Sequence, residues 1–366
     1  ALYLNTIEQV KSGVISQQRL DQAVARILRV KMRTGIFDLP KPSERKHGGN
    51  WSLPAAPEHR AVAREAVRKS LVLLKNENDL LPLPANANVL VAGDAADNIG
   101  KQSGGWTLSW QGTGNSNEHF PNATSIYDGI KEALEANGGS ASLDENGDWK
   151  EKPDVAIVVF GEEPYAEGVG DRLTLDYDTD DGLNLLKKFK AAGIPTVSIF
   201  ISGRPLWVNL ELNASDAFIA AWLPGSEGAG LADVLIADSN GEPRFDFTGK
   251  LSFSWPATAG QAEVNIGDSD YAPLFPYAYG LGYTEPVSVA QLSEDPALSE
   301  EEIDHGVELI TLGKAVGHWR MVLRDTDGQT IVTDVRGESP TGQLEVVPAD
   351  NKIQEDTFIA SWNGPA

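Results

Sequence analysis

The segment Gly161-Glu162-Glu163-Pro164-Tyr165-Ala166-Glu167-Gly168-Val169-Gly170-Asp171-Arg172 gathers three glutamates and a tyrosine among glycines. A partly buried glutamate can have its pKa raised toward neutrality, which suits it to give up and take back a proton. A solvated acidic loop is the plainer alternative, because most acidic side chains are simply exposed. A second segment, Gly104-Gly105-Trp106-Thr107-Leu108-Ser109-Trp110-Gln111-Gly112, sets two tryptophans among glycines and polar residues. The glycines leave little for an indole to pack against. Each tryptophan offers a flat apolar face with one donor at its edge, which suits the apolar face of a pyranose or another ring ligand. Either indole could instead plug a gap between sheet and loop.

Both segments follow apolar runs. Val155-Ala156-Ile157-Val158-Val159-Phe160 leads into the acidic loop, and Asn88-Val89-Leu90-Val91-Ala92-Gly93 lies upstream of the tryptophan loop. In open α/β sheets, ligands bind in the crevice outside the carboxyl ends of such strands, so the two loops would line one crevice. Strand candidates at 70–74, 89–92, 155–160, 196–201, 217–223 and 250–255 alternate with helical segments at 58–69, 124–137, 180–192 and 227–237. Near-continuous apolar strands alternating with helices predict a mainly parallel sheet covered on both faces.

The flanks read differently. Leu20, Val24, Ile27 and Leu28 give residues 16–34 the spacing of an amphipathic helix, with Ser16 as N-cap and Gly35 at the C′ position. Pro, Gly, Ser, Lys and Asn dominate from Asp38 to Pro57, which reads as a linker. After about Pro286, short alternating segments predict a β-rich module, with a hairpin built from Trp319–Arg324, a turn at 325–328, and Gln329–Thr333. Residues 344–347 and 357–362 are further strand candidates, and Trp319 and Trp362 read as core packing rather than sugar contacts.

Together these strings resemble glycoside hydrolase family 3, the β-glucosidase and exo-β-glucanase family, over roughly residues 1–285. The likeness also rests on Ser70-Leu71-Val72-Leu73-Leu74-Lys75-Asn76, Ala96-Asp97-Asn98-Ile99-Gly100, Ser202-Gly203-Arg204-Pro205, Ala221-Trp222-Leu223-Pro224-Gly225-Ser226-Glu227-Gly228 and Pro276-Tyr277-Ala278-Tyr279-Gly280-Leu281-Gly282-Tyr283. The tryptophan loop looks most like the exo-1,3/1,4-β-glucanase branch. The resemblance implies an α/β fold: a mainly parallel six-stranded α/β sandwich at 58–285, preceded by the last helix region of a (β/α)8 barrel at 1–37 and a linker at 38–57. A β-rich C-terminal module at 286–366, partial or small, would follow. Family members carry their nucleophilic Asp, and most contacts to the nonreducing-end sugar, on that N-terminal barrel. No Ser-Asp-Trp nucleophile motif occurs in this chain. The chain is therefore expected to hold half an active site, to be inactive alone, and to have the barrel domain of the same polypeptide as its partner.

Matching the family motif puts the general acid/base on Glu162, the residue after Gly161, with Glu167 as the alternative in the same loop. Trp106 would form an aromatic wall of the aglycone site, Trp110 would support it, and Tyr165 would orient the carboxylate. Asp171 and Arg172 would pair to fix the loop. The implied reaction is retaining hydrolysis of glucose from the nonreducing ends of β-glucan oligosaccharides. That chemistry requires neither organic cofactor nor metal. The competing reading is a non-catalytic carbohydrate-binding or structural module that uses the same tryptophan loop.

Composition narrows the classes further. A net charge of −23 without basic clusters argues against nucleic acid and anionic membrane surfaces as partners. Such acidity suits a secreted or periplasmic protein. With no cysteine, disulfides and thiolate-metal sites are excluded, and no run of 18 apolar residues is present to span a membrane. The histidines are scattered singly. Asp176–Gly182 fails as a calcium loop because Lys187 falls where the bidentate acid should stand.

Overall fold

Strands β1 (Val72–Asn76), β2 (Asn88–Ala92), β3 (Ser140–Leu143), β4 (Val155–Gly161), β5 (Thr196–Ile201) and β6 (Ala217–Trp222) form one six-stranded sheet in the order β1-β6-β5-β4-β2-β3. All neighbours are parallel except β1, which runs antiparallel to β6. This computed structural model describes residues 2–284 and 288–298, and beyond them the backbone of six short strands between Ile310 and Trp362. It divides into two units, Ala1–His59 and Arg60–Ala366, with the division inside helix α3 (Pro57–Ser70).

Every residue of β4 and β5 is buried, because helices cover both faces of the sheet and leave no solvated side for polar residues to alternate onto. On one face, Leu73, Val89, Val91, Ile157 and Ile199 pack with α5 (Ile126–Glu135) and α8 (Ala229–Leu235). On the other, Leu74, Leu90, Val158, Phe160 and Phe200 pack with α6 (Asp181–Ala191) and α7 (Asn209–Ala214). The chain leaves β2 through α5 toward the β3 edge, then returns past β2 to β4 and continues through α6 on the opposite face. The winding therefore reverses between β2 and β4, and that reversal opens a crevice at their carboxyl ends.

Two details depart from the sequence reading. β3, with the sequence Ser-Ala-Ser-Leu, carries no apolar run because it is a half-exposed edge strand. Residues 250–255 do not join the sheet. Instead Leu251 and Trp255 donate N–H bonds to the Tyr279 and Phe275 carbonyls, each at 2.8 Å, in an irregular crossing.

In the first unit, α1 (Leu2–Lys11) precedes α2 (Gln17–Arg33). Ser16 caps α2 by accepting the Arg19 N–H at 3.2 Å, and Gly35 lies beyond its end at φ 68°. Val24, Ile27 and Leu28, the apolar face of α2, are exposed. In the C-terminal segment, Met321–Arg324 pairs antiparallel with Thr330–Thr333, and Gly342–Val347 with Thr357–Trp362. Trp319 lies outside the described residues, and Trp362 ends the last strand.

Candidate active site

β4 delivers the acidic loop to the crevice. At its last residue a Cβ would overlap the Ile201 carbonyl, so only Gly161 lets β4 and β5 stay paired to their ends. Glu162 then donates its N–H to Ile201 O at 2.9 Å and turns its side chain toward the end of β5. Arg204 Nε and Nη2 both donate to Glu162 Oε1, at 3.0 and 2.7 Å. Ser202 Oγ lies 2.7 Å from Oε2. The Glu162 and Arg204 side chains are only 9% and 21% exposed, so this is a desolvated ion pair. The guanidinium also stacks on Tyr165, 4.4 Å from the ring centroid. Burial, with the Glu162 charge beside it, pushes the Tyr165 phenol up to about 12, so it stays a neutral donor at physiological pH.

β2 delivers the tryptophan loop through the short helix α4 (Ile99–Ser103). The loop closes on itself: Trp106 donates its N–H to Trp110 O at 2.9 Å, and Asn115 Nδ2 donates to the Thr107 and Gly112 carbonyls at 3.1 and 2.9 Å. Trp106 and Trp110 are 70% and 55% exposed, which removes the possibility that either plugs the core. Their ring centroids lie 6.5 Å apart at 51°, two tilted walls rather than a stack. Trp106 and Leu108 hold φ at 57° and 60°, a left-handed conformation costly for bulky residues and often found where a loop presents side chains for use.

The two loops meet. A Cβ on Gly105 would overlap the Tyr165 carbonyl, so this glycine permits their backbones to touch. Gln111 bridges them: its Oε1 accepts the Ala166 N–H at 2.7 Å, and its Nε2 donates to Glu167 O at 3.1 Å. Trp110 Nε1 donates to Glu167 Oε2 at 2.7 Å. That indole bond, helped by the residue's own N–H and by Trp106, holds the exposed Glu167 carboxyl below its ordinary range.

Glu163, 74% exposed, pairs instead with Lys101 Nζ at 3.0 Å, and Asp94 contacts the same ammonium. Burial works against that ammonium, but the two carboxylates outweigh it and raise its pKa. A cavity of about 270 Å³ is lined by Asp94, Lys101, Glu162, Glu163, Tyr165, Arg204 and neighbouring residues, whereas Glu167 does not line it.

The structure therefore brings together every residue singled out from sequence, but in two groups. Glu162 and Tyr165 contact Arg204, while Glu167 contacts Trp110, whose ring lies 6.5 Å from that of Trp106. Arg172 does not pair with Asp171. It reaches the Asp176 carbonyl at 2.8 Å, with the Asp176 and Asp178 carboxylates at 3.3 and 3.4 Å, and these partners occupy the guanidinium in place of Asp171. Among the described residues, no group of His, Cys, Asp and Glu side chains is arranged to hold a metal ion. Sequence reasoning missed Arg204 and Gln111 as site residues. The available signal for Arg204 was its place just beyond β5, the strand beside β4.

Comparison with known proteins agrees with this architecture. Residues 71–283 match the glycosyl hydrolase family 3 C-terminal domain, and the chain belongs to that family. An exo-1,3/1,4-β-glucanase from a Pseudoalteromonas species is 47% identical and superposes with a TM-score of 0.79, over 97% of this chain and 44% of that one. A lysosomal beta glucosidase of Dictyostelium discoideum is 33% identical over 69% of this chain and 32% of its own length. A periplasmic beta-glucosidase of Salmonella typhimurium is 29% identical over 68% and 35% respectively. The chain thus spans less than half the length of each of these relatives.

Proposed function

We propose that this chain supplies one half of the active site of a retaining, exo-acting β-glucosidase or β-glucanase, and that Glu167 is its general acid/base. One observation carries the choice of Glu167: its carboxylate is exposed at the carboxyl end of β4, hydrogen-bonded to Trp110 and beside Trp106, where a sugar could lie against it. Glu162, the motif-matched candidate, has Arg204 on one oxygen and Ser202 beside the other, so a leaving group would have to compete with partners already in place. Glu162 is accordingly a fixing residue for the loop.

Under this reading, an aspartate on a barrel of the same polypeptide attacks the anomeric carbon while Glu167 protonates the leaving oxygen. Glu167 then deprotonates the incoming water. The two carboxyl groups of a retaining enzyme stand about 5–5.5 Å apart, so domain packing must bring the aspartate to Glu167. In this chain Glu167 is open to water and favours its carboxylate form. Covering by the barrel and by bound sugar would desolvate it and raise its pKa toward that of a working acid. The exposed apolar face of α2 supports its reading as the last helix region of such a barrel. The Pseudoalteromonas and Dictyostelium relatives support β-linked glucose as substrate, and the Salmonella relative supports a periplasmic or secreted location.

The test is leaving-group dependence in a polypeptide that joins this chain to the barrel. Glu167→Ala should slow substrates with poor leaving groups deeply and activated aryl glucosides less, with azide restoring turnover, because an aryloxide departs unprotonated and azide needs no base. If Glu162→Ala shows that pattern and Glu167→Ala behaves as wild type, the assignment is reversed. The chain alone should release no aryl glucoside at high protein concentration. Turnover abolished by Glu167→Gln or Glu162→Gln would mean it already holds a complete site. Binding of oligosaccharide without any effect of Glu167 on turnover in the joined enzyme would favour a non-catalytic binding module.

A further inference from the structure

We infer that Arg204 is a positioning residue, a clamp anchored on Glu162 that holds the acidic loop in the one shape that presents Glu167 to Trp110; this rests on the assignment of Glu167 above. The loop has little of its own to hold it. Between Glu162 and Asp171 it contains Gly168 and Gly170, and its internal backbone bonds are Gly170 N–H to Ala166 O at 2.8 Å and Asp171 N–H to Gly168 O at 3.1 Å. A glycine-bearing loop with so few internal bonds would sample many conformations, and fixing it costs backbone entropy at every residue. Something outside the loop has to hold it.

Arg204 touches the loop at three points. Nε and Nη2 hold Glu162 at its start, the guanidinium plane covers the Tyr165 ring in its middle, and Nη1 donates to Gly170 O at 2.6 Å near its end. The arginine is itself fixed, because its backbone N–H donates to Ser202 Oγ at 3.1 Å, at the end of β5 where Gly161 and Ile201 are paired. The loop is thus referenced to the rigid β4–β5 pair through one planar group. Glu167 lies between the second and third contact points, and Gln111 holds Ala166 and Glu167 from the other side, so Arg204 sets the loop shape that Gln111 and Trp110 then meet. Fork donation and ring stacking together require a guanidinium; a lysine ammonium keeps the charge but reproduces neither. Low exposure matters as well, because a solvated ion pair would hold the loop weakly.

The test uses this chain and needs no turnover. Hydrogen–deuterium exchange is followed for wild type, Arg204→Lys and the double variant Glu162→Gln/Arg204→Gln, which leaves no buried charge unpaired. The clamp predicts exchange across residues 163–171 faster by about tenfold or more in both variants, with β4 and β5 amides still protected. It also predicts that the Trp110 indole N–H resonance, assigned by its loss in Trp110→Phe, ceases to follow the titration of Glu167. A residue that merely stabilised the fold would raise exchange in the strands alongside the loop and leave the indole titration intact. Unchanged loop protection in Arg204→Lys, or a persisting indole titration, overturns the clamp. Loss of the acid assignment is seen separately, in the leaving-group dependence of Glu167→Ala, and does not touch these readouts.

Discussion

Replacing Glu211 by glutamine should stabilise the sandwich above neutral pH and leave it unchanged near pH 4.5. Glu211 stands in the first turn of α7 and is 4% exposed. Burial, with the Asp180 charge adding to it, pushes its carboxyl from the ordinary 4.5 up to about 7, against smaller opposing effects of its own N–H and Lys187. Below about pH 4.5 the group is protonated in folded and unfolded chains alike and costs nothing. As pH rises the unfolded chain releases a proton that the folded chain retains, so stability falls. Above about pH 7 the folded state carries a buried charge and the loss is complete. The interval corresponds to roughly 3 kcal/mol, an upper figure because water entry and side-chain relaxation soften a buried charge.

Glutamine keeps the shape and never ionises. For a unit of this size, about 2–4 °C per kcal/mol converts that figure to a gain in Tm of up to roughly 6–12 °C at pH 8. Melts of wild type and Glu211→Gln at pH 4.5, 6 and 8 give a difference curve from which all other titrating groups cancel. A difference that stays constant across pH, or a wild type more stable at pH 8, would refute the reasoning.

Asp233 should behave in the opposite sense. Burial pushes its carboxyl up, but hydrogen bonds from Arg64 and Arg68 outweigh this and hold it below 3.8, so its stabilisation is present above that value and is lost as pH falls further. Asp233→Asn should therefore cost about 3 kcal/mol at pH 7, with the deficit shrinking in acid, as checked by urea melts at several pH values. Gly105→Ala drives a methyl into the Tyr165 carbonyl and should separate the two loops, read as a shift of the Trp110 indole N–H resonance, at a stability cost of about 1–3 kcal/mol. Trp106→Ala should change stability by less than about 0.5 kcal/mol because the ring is mostly exposed, while weakening oligosaccharide binding by calorimetry in the barrel-bearing polypeptide by roughly 1–3 kcal/mol. A large drop in Tm for Trp106→Ala would instead make it a core residue.

The sequence alone determined five of the six strands of the sheet, while wrongly adding 250–255, and which loops leave its carboxyl edge. Val155–Phe160 and Thr196–Ile201 are apolar at nearly every position because both their faces are covered, and that requirement is written residue by residue along the chain. It also placed the two chemically equipped loops after β2 and β4, next to one another at the reversal of the winding. It did not reveal β3, whose half-exposed edge position asks for no apolar run, and motif matching put the acid/base on Glu162 with Glu167 only as the alternative, the reverse of the order proposed above. Those two glutamates lie five residues apart in one loop with the same side chain, and local pattern assigns them no different fate. Their difference comes from what distant segments deliver to each: Ser202 and Arg204 from the end of β5 to Glu162, and Trp110 from the loop after β2 to Glu167. A carboxylate's chemistry is set by the donors and solvent around it, and those neighbours are assembled only when β2, β4 and β5 come side by side.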